Sequence, residues 1–207
     1  MSADDDARRL QAANPTGWFE DLYAAADAGT AAVPWDVPHP QAHLAEWANG
    51  LDGTGRSALV VGCGFGRDSE FLASLGFDVT AFDVSPTAIA AVRARHPGSA
   101  VSYVVADLLN PPAGWHRAFD LVVENMTVQA LPPALHAEAA GRVAGLTGGT
   151  LLVLAVARDE GPEPDGPPWP LTRAEVGAFA ADGLTERSVV RDNGRWVAEF
   201  VRQVAMN

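Results

Sequence analysis

The sequence contains no lysine, and its 14 basic residues are all arginine. Against them stand 26 acidic residues, which give a formal net charge of −12 at pH 7. Binding to DNA or RNA needs a basic surface that offsets the phosphate charge, so this balance argues against nucleic acid as a partner. The missing lysine, together with abundant alanine, glycine and proline, is typical of a GC-rich bacterial genome and carries no information about mechanism.

Cysteine is almost absent as well, since Cys63 is the single one. A single cysteine excludes an internal disulfide and fits a reducing cytoplasm. No apolar run approaches the roughly 18 residues that span a bilayer. The opening "MSADDDARRLQAAN" is acidic and polar, unlike a signal peptide. The sequence therefore predicts a cytoplasmic protein without membrane contact.

The length of 207 residues and the hydrophobic content of 48% are sufficient for one domain with a full core. Residues 1–13 are predicted to be disordered, and residues 14–207 to form this domain. Its first part, residues 14–50, is predicted to be helical, with one helix at 17–28. A second helix is predicted to begin at Pro40, because proline is tolerated at the first helical position.

From residue 57 onward, short apolar runs alternate with helical segments. Such alternation is typical of a parallel sheet with helices on both faces. Ser85 and Pro86 are a capping residue and a first-turn proline for one of the helices. A "DNG" turn predicts a final hairpin. The predicted strands lie at 57–61, 78–84, 101–107, 118–125, 149–157, 185–192 and 195–205, and helices between them at 67–75, 85–96 and 133–145.

Three glycines follow the first strand in "LVVGCGFGRDSEF": Gly62, Gly64 and Gly66. A dinucleotide-binding loop needs its third glycine five residues after the first, where Arg67 stands instead. A Walker-type phosphate loop is excluded because no lysine follows. Bare backbone at a helix start still offers N–H groups and a positive dipole end to a carboxylate. S-adenosylmethionine has such a carboxylate, a flat nucleoside and a sulfonium that favours aromatic faces.

Two acidic residues end the next two predicted strands. Asp83 can accept hydrogen bonds from both hydroxyls of a ribose, a role that would suit NAD equally well. Asp107 can accept a hydrogen bond from an adenine amino group while the Leu108 amide serves a ring nitrogen, and a dinucleotide site has no fixed need for that second acid. Because the carboxyl ends of parallel strands meet at one edge of a sheet, the glycines and both acids are expected to form one crevice.

These features stand in a consistent order, and "LVVGCGFGRDSEFLASLGFDVTAFDVS", "VVADLLNPP", "FDLVVENMTVQALPP" and "LTGGTLLVLAVA" resemble class I S-adenosylmethionine-dependent methyltransferases. The segments "GWFEDLY", "PWD" and "GPPWPLTRAEV" resemble the thiopurine, thiol and halide methyltransferase branch more closely. The resemblance implies a Rossmann-like three-layer α/β sandwich. Its seven-stranded, mostly parallel sheet would have the order 3-2-1-4-5-7-6 with an antiparallel last strand, and residues 14–50 would form a lid over the cofactor. Many class I members carry an acidic residue where Val61 stands, although an apolar one is common in this branch.

The pattern and the resemblance together assign a cofactor site for S-adenosylmethionine. Asp68 complements the dipole of its helix with or without a ligand, so a purely structural role is equally open. The glycines could form a tight turn without a ligand, and Cys63 could be a small buried residue rather than a reactive thiol. The predicted cofactor-binding residues are Gly62, Cys63, Gly64, Gly66, Asp68, Asp83, Val84, Asp107, Leu108, Glu124, Trp18 and Trp35.

The methyl acceptor is predicted to lie beyond the fourth strand and against the flanking loops. Glu124 could act as a base there or simply face solvent at a strand end, and His39 could act at the mouth; no side chain is identified as obligatory. The proline-rich loop 158–170 is more typical of a binding loop than of a linker. Core packing is the ordinary role of tryptophan, but an aromatic wall suits an apolar acceptor. The predicted substrate residues are Trp35, His39, Met126, Thr127, Gln129 and Trp169.

The spacing of His39, His43 and Glu46 invites a zinc site. Pro40 places His39 before the helix, so the two rings need not share a face. No further cysteine or histidine cluster completes a ligand set, and no metal is expected.

The resulting hypothesis is a methyltransferase for a small molecule, with sulfur favoured over oxygen or nitrogen, acting as a monomer or homodimer. Methyl transfer mainly needs alignment and exclusion of water. A base matters only for an acceptor that is not ionised. The alternative is a cofactor-binding protein of the same fold that has lost methyl transfer, and a nicotinamide enzyme is a more distant one.

Overall fold

The helices and strands follow the alternation of the sequence closely. A computed structural model describes residues 3–14 and 16–203. The N-terminal region forms α1 (Ala3–Ala13), α2 (Trp18–Asp27) and α3 (Ala42–Trp47). The elements that follow are β1 (Ser57–Val61), α4 (Arg67–Ser74), β2 (Asp78–Asp83), α5 (Pro86–Arg95), β3 (Ser102–Val105), β4 (Phe119–Asn125), α6 (His136–Leu146), β5 (Thr147–Val156), α7 (Arg173–Gly177), β6 (Leu184–Asp192) and β7 (Arg195–Arg202).

The strands form one sheet in the order β3-β2-β1-β4-β5-β7-β6. The first five pair in parallel, and β7 runs antiparallel between β5 and β6. This confirms the expected Rossmann-like order and the antiparallel last strand. Val61 pairs with Phe82 on one side and with Glu124 on the other, so β1, β2 and β4 end at the same edge.

Alternate residues of each strand enter the two layers of helices. Leu59 and Val61 belong to a core cluster that includes α6, whereas Ala58 and Val60 belong to the cluster that includes α4 and α5. Because both faces are covered, the middle residues of the inner strands form continuous apolar runs, such as residues 58–61 of β1 and 151–156 of β5. Leu59 is fully buried, and its replacement by alanine would cost about 2–5 kcal/mol.

Several turns and caps have the chemistry that the sequence predicts. The Ser85 hydroxyl accepts the Ala88 N–H at 2.9 Å, with Pro86 as the first helical residue of α5. Asn193 and Gly194 have φ angles of 46° and 76°, which close the β6–β7 hairpin with left-handed residues at both central positions.

The N-terminal region differs from the sequence prediction in two places. Residues 3–13 form α1 instead of a disordered stretch, and Leu10 packs against a core cluster that contains Trp18 and Leu22. Helix α3 begins at Ala42 rather than at Pro40, because the side chain of Gln41 caps it by accepting the His43 N–H. Among the described residues, every helix is too short or too polar to cross a bilayer.

Candidate active site

One cavity of about 910 Å³ opens at the carboxyl ends of β1, β2, β3 and β4. Three groups of residues enclose it. The glycine-loop wall contains Gly62, Cys63, Gly64, Asp83, Asp107 and Leu108. The β4 wall contains Met126, Thr127, Ala130 and Leu131, together with Pro167 and Pro168 of the proline-rich loop. The N-terminal segment, residues 16–38, contributes Trp18, Phe19, Tyr23 and Trp35.

The three glycines have different neighbours. Gly62 has a φ of 60°, and a Cβ there would overlap the Thr127 side chain. Gly64 has a φ of 51°, and a Cβ there would lie only 3.0 Å from the Tyr23 hydroxyl and 3.4 Å from the Trp35 ring. Gly66 does not line the cavity; a Cβ there would overlap Tyr103 and Val92. The absence of a side chain at Gly66 therefore serves helix packing rather than ligand approach, which differs from the sequence prediction.

Asp83 is the buried acid of the glycine-loop wall, with 6% of its surface exposed. Its Oδ2 accepts the Gly64 N–H and its Oδ1 accepts the Ser85 N–H, each at 3.0 Å. Burial raises the pKa of Asp83 to about 6, and the backbone N–H groups oppose that rise. One carboxylate thus joins the glycine loop to the start of α5 while lining the cavity.

Asp68 lies at the first turn of α4 with both oxygens occupied. Its Oδ1 accepts the Gln41 N–H and its Oδ2 accepts the Asn125 side-chain N–H, each at 2.8 Å. Arg67 Nε is 3.5 Å from Asp68 Oδ1. The bond to Asp68 orients the Asn125 amide, whose Oδ1 has no hydrogen-bond partner among the described residues. Arg67, Asp68 and Asn125 all line the cavity, so they present an oriented polar corner to it.

The far end of the glycine-loop wall is more open. Asp107 is exposed and lines the cavity, and its Oδ1 accepts the Leu109 N–H at 2.9 Å. Leu108 is buried beside it, and Val84 lines the cavity while remaining 42% exposed. Asp107 therefore stabilises its own turn and still has its other oxygen available to a ligand.

The N-terminal segment reaches over the strand ends through aromatic contacts. Trp18 is almost fully buried and stacks on Phe19 with ring centroids 4.2 Å apart. Trp35 donates its indole N–H to the Tyr23 hydroxyl at 2.7 Å. Asp36 forms a two-bond ion pair with Arg95 of α5, at 2.8 and 2.9 Å. The aromatic contacts hold the segment together, and the ion pair ties it to α5 beside the cavity.

Arg95 is also held by an aromatic ring. Its guanidinium lies 3.6 Å from the centroid of the Phe65 ring, which follows Gly64 in the glycine loop. Asp36, Arg95 and Phe65 all line the cavity. We call this group the Asp36–Arg95 clasp.

Glu124 lies elsewhere than the sequence predicted. It is fully buried at the end of β4 and does not line the cavity. Its Oε1 accepts the backbone N–H of Thr127 at 2.6 Å and of Val128 at 2.9 Å. Burial raises the pKa of Glu124 to about 7. The alternation of side chains along β4 explains the difference, since Asn125 rather than Glu124 is directed to the cavity.

Three predicted substrate residues are also absent from the cavity lining. His39 is exposed one residue beyond the lining residue Pro38. Gln129 is fully buried, and its Oε1 accepts the Val156 N–H at 2.6 Å. Trp169 packs against Gly166 and donates its backbone N–H to the Gln129 carbonyl at 2.7 Å. The two prolines before Trp169 line the cavity in its place.

Met126 and Thr127 lie where the sequence placed them. Both line the cavity, and Thr127 donates its hydroxyl to the Val61 carbonyl at 3.0 Å. Met126 has a φ of 64°, unusual for a residue with a side chain, and Arg195 approaches its sulfur at 3.1 Å. Cys63 lines the cavity too, and burial raises the pKa of its thiol well above the ordinary value.

The histidines considered for zinc are engaged differently. His43 Nε2 lies 2.9 Å from Asp192 Oδ2 at the end of β6. Within the described part of the chain, no group of three or more histidine, cysteine or acidic side chains could hold a metal ion.

Sequence reasoning missed Tyr23, Phe65, Arg67 and Asn125 as cavity residues. Asn125 could have been found, because it is the last residue of a parallel strand, the same signal that identified Asp83. Tyr23 and Phe65 carried no such signal, since aromatic residues fill cores as readily as cavities.

Comparisons with known proteins agree with this geometry. Residues 58–147 match the family model described as a methyltransferase domain. The Arabidopsis thaliana protein named "Probable thiol methyltransferase 2" is 31% identical over 182 residues, which cover 84% of this chain and 76% of that protein.

Solved structures share the fold at lower identity. One, from work on the conversion of a disulfide bond into a thioacetal group during echinomycin biosynthesis, has a TM-score of 0.70 at 23% identity and covers 89% of this chain and 93% of its own. The 1,6-didemethyltoxoflavin-N1-methyltransferase of Burkholderia thailandensis, with bound 1,6-didemethyltoxoflavin and S-adenosylhomocysteine, has a TM-score of 0.67 at 19% identity. It covers 96% of this chain and 91% of its own.

Proposed function

This chain belongs to the family of S-adenosylmethionine-dependent methyltransferases, and we propose that it methylates a small molecule, at sulfur in preference to oxygen or nitrogen. The family gives the cofactor and the reaction type. The acceptor and the roles of individual residues are inferred from the two walls of the cavity.

The glycine-loop wall fits the cofactor. Asp83 would hold the ribose hydroxyls and Asp107 the adenine amino group, because both carboxylates line the cavity at strand ends. Arg67, which lines the cavity, would hold the carboxylate of the methionine end. The absence of a side chain at Gly64 lets Tyr23 and Trp35 approach the glycine loop closely, so that both can cover a ligand bound beside it.

The N-terminal segment is proposed to be a lid over this site. Trp18 and Trp35 close the cavity from above, and the Asp36–Arg95 clasp fastens the segment to α5. Closure excludes water, which strengthens electrostatic contacts and protects a reactive methyl group from hydrolysis.

When bound, S-adenosylmethionine supplies an electrophilic methyl group on a sulfonium whose sulfur leaves with the bond electrons as a neutral thioether. The walls then have to align the acceptor atom with the methyl carbon and keep water out. Trp35 and Phe19 offer aromatic faces that suit the positive charge before transfer.

The observation that favours sulfur is the neutrality of the β4 wall. Its six lining residues, Met126, Thr127, Ala130, Leu131, Pro167 and Pro168, carry no ionisable side chain. An acceptor on this wall would find no base among these six residues. A thiol, with an ordinary pKa of about 8.5, does so far more readily than a phenol or an alcohol. The thiol methyltransferase name of the Arabidopsis relative supports the same preference.

The setting proposed for this reaction follows from composition. The net charge of −12 disfavours nucleic acid as an acceptor. A single unpaired cysteine suits a reducing cytoplasm, and the enzyme is proposed to act there as a monomer or homodimer.

Calorimetric titration with S-adenosylhomocysteine, followed by a panel of acceptors, tests the proposal. We expect binding, and release of S-adenosylhomocysteine from S-adenosylmethionine fastest with thiophenol, slower with phenol or aniline, and also measurable with iodide. Faster turnover of phenol or aniline than of thiophenol would contradict the preference for sulfur. Binding without turnover on every acceptor would support a cofactor-binding protein that has lost methyl transfer.

A further inference from the structure

Glu124 is the most deeply buried acid among the described residues. It has no exposed surface, whereas Asp68 and Asp83 each keep 6%. Its register partners are Val61 on β1 and Val153 on β5, so apolar strands flank it on both sides. A carboxyl group in such a place costs free energy unless its contacts repay the burial. Glu124 is therefore expected to make specific contacts that require a carboxyl group.

The contacts of Glu124 concentrate on one short turn. Residues 128–130 form a single turn of 3₁₀ helix, and Thr127, which precedes it, makes no side-chain cap. The first N–H groups of such a turn have no partner within the helix. Glu124 Oε1 accepts two of them, from Thr127 and Val128. The carboxyl group thus caps the turn from the strand that precedes it.

This turn carries the β4 wall. The chain reverses at Met126, whose positive φ places a methionine in a conformation that costs about 1–2 kcal/mol for a residue with a Cβ. Thr127 then lies over Gly62 and donates its hydroxyl to the Val61 carbonyl. Both side chains reach the cavity only because the turn holds this shape.

The same turn also fixes the proline-rich loop. Gln129 joins the end of β5 through the Val156 N–H and holds the Trp169 N–H with its backbone carbonyl. Pro167 and Pro168 stand immediately before Trp169 and line the cavity. Both parts of the β4 wall therefore depend on one turn whose cap is Glu124.

We propose that Glu124 is a positioning residue for the methyl acceptor: by capping the turn at Thr127 and Val128, it fixes the β4 wall against which the acceptor binds. The proposal rests on the assignment of this wall to the acceptor. A carbonyl oxygen can accept the same two N–H groups as a carboxylate, so glutamine should replace Glu124 and an apolar side chain of similar size should not.

Two variants and one control test this role. Glu124→Gln keeps a carbonyl acceptor, and Glu124→Leu removes it with little change of volume. Thr147→Val is the matched control, because Thr147 is fully buried at the opposite end of β5 and loses only its hydroxyl bond to the Val143 carbonyl. For each protein, amide hydrogen exchange over residues 126–130, the Kd for S-adenosylhomocysteine and the KM and kcat for thiophenol are measured.

In Glu124→Leu we expect exchange over residues 126–130 to accelerate at least tenfold and the KM for thiophenol to rise at least fivefold. The Kd for S-adenosylhomocysteine should stay within about twofold. Glu124→Gln and Thr147→Val should keep wild-type exchange in this segment and a wild-type KM.

Unchanged exchange in Glu124→Leu, or failure of Glu124→Gln to restore it, would overturn the role of the cap. An equal loss of affinity for S-adenosylhomocysteine and thiophenol would show a general structural role instead. If the wild-type enzyme does not methylate thiophenol, the preference for sulfur fails, while hydrogen exchange still decides whether Glu124 holds the turn.

Discussion

The two walls of the cavity differ in where their polar side chains lie. The glycine-loop wall presents its ionisable groups to the cavity, with Asp83 buried and Asp107 exposed at successive strand ends. The β4 wall turns its polar groups away, since Glu124 and Gln129 lie behind it and only neutral side chains face inward. The first wall can recognise a ligand by hydrogen bonds and charge. The second can select by shape, and buried hydrogen bonds set that shape from outside the cavity.

The largest expected effect is on stability as a function of pH, because one acid with a raised pKa lies in the glycine-loop wall and another lies behind the β4 wall. The pKa of Asp83 is about 6 against an ordinary 3.8, and that of Glu124 is about 7 against 4.5. The folded protein therefore holds protons that the unfolded chain has released. Stability should fall, by up to a few kcal/mol, as pH rises from about 4 to about 7.

Urea unfolding at a series of pH values distinguishes the contributions of Asp83 and Glu124 to this pH dependence. In Asp83→Asn the free energy of unfolding should depend less on pH in the lower part of the range from pH 4 to 7. In Glu124→Gln it should depend less on pH in the part nearer pH 7. A curve that both substitutions leave unchanged would refute the raised pKa values.

Affinity for the cofactor gives the next largest effect and tests the glycine-loop wall alone. Asp83→Ala should weaken binding of S-adenosylhomocysteine by about 1.5–3 kcal/mol, since hydrogen bonds to a charged group are lost. Calorimetry at pH 8, where Asp83 is ionised, measures this. Thr127→Ser on the other wall is the control, because serine keeps the hydroxyl that donates a hydrogen bond to the Val61 carbonyl. Unchanged affinity in Asp83→Ala would contradict the ribose role.

The two walls meet where Thr127 covers Gly62, and a methyl group added there should disturb both. Gly62→Ala has an unfavourable φ and an overlap with Thr127, whereas Gly55→Ala has a similar φ of 73° with nothing near its Cβ. We expect Gly55→Ala to lose about 1 kcal/mol of unfolding free energy. Gly62→Ala should lose more, and thermal unfolding compares them. If both variants lose the same unfolding free energy, the contact between Thr127 and Gly62 does not contribute to stability.

The smallest effect concerns the proposed lid. The Asp36–Arg95 clasp is partly exposed, so its contribution should be below about 1 kcal/mol and should weaken with salt. Asp36→Asn should accelerate release of S-adenosylhomocysteine severalfold at low salt and less at high salt, as stopped-flow fluorescence would show. Arg142→Gln, which breaks an exposed helical ion pair elsewhere, is the control. Equal release rates in all three proteins would remove the clasp from the lid proposal.

The fold and the glycine-loop wall were largely predictable from the sequence. Strand alternation, the Ser85 cap and the "DNG" hairpin are local signals, and the strand ends of a parallel sheet converge by geometry alone. Asp83 and Asp107 follow strands directly, so their place at the cavity needed no knowledge of tertiary packing.

The β4 wall was not predictable in the same way. After Glu124 the chain makes a tight turn through a positive φ at Met126, and this turn decides which side chains face inward. Sequence reasoning treated the stretch as a continuous strand end and placed Glu124 and Gln129 at the acceptor. The same limit applies to Trp169, whose ring packs on Gly166 and leaves the cavity to the preceding prolines.

The raised pKa of the single thiol bears on whether the protein could methylate itself. Cys63 lies in the wall of a cavity proposed to hold a methylating agent, and only a thiolate attacks such a carbon quickly. Burial, and then the charge of Asp83, raise the pKa of Cys63 well above its ordinary value. Under the proposed function, a methyl group is offered to an acceptor sulfur while the raised pKa keeps the protein's own thiol the poorer nucleophile.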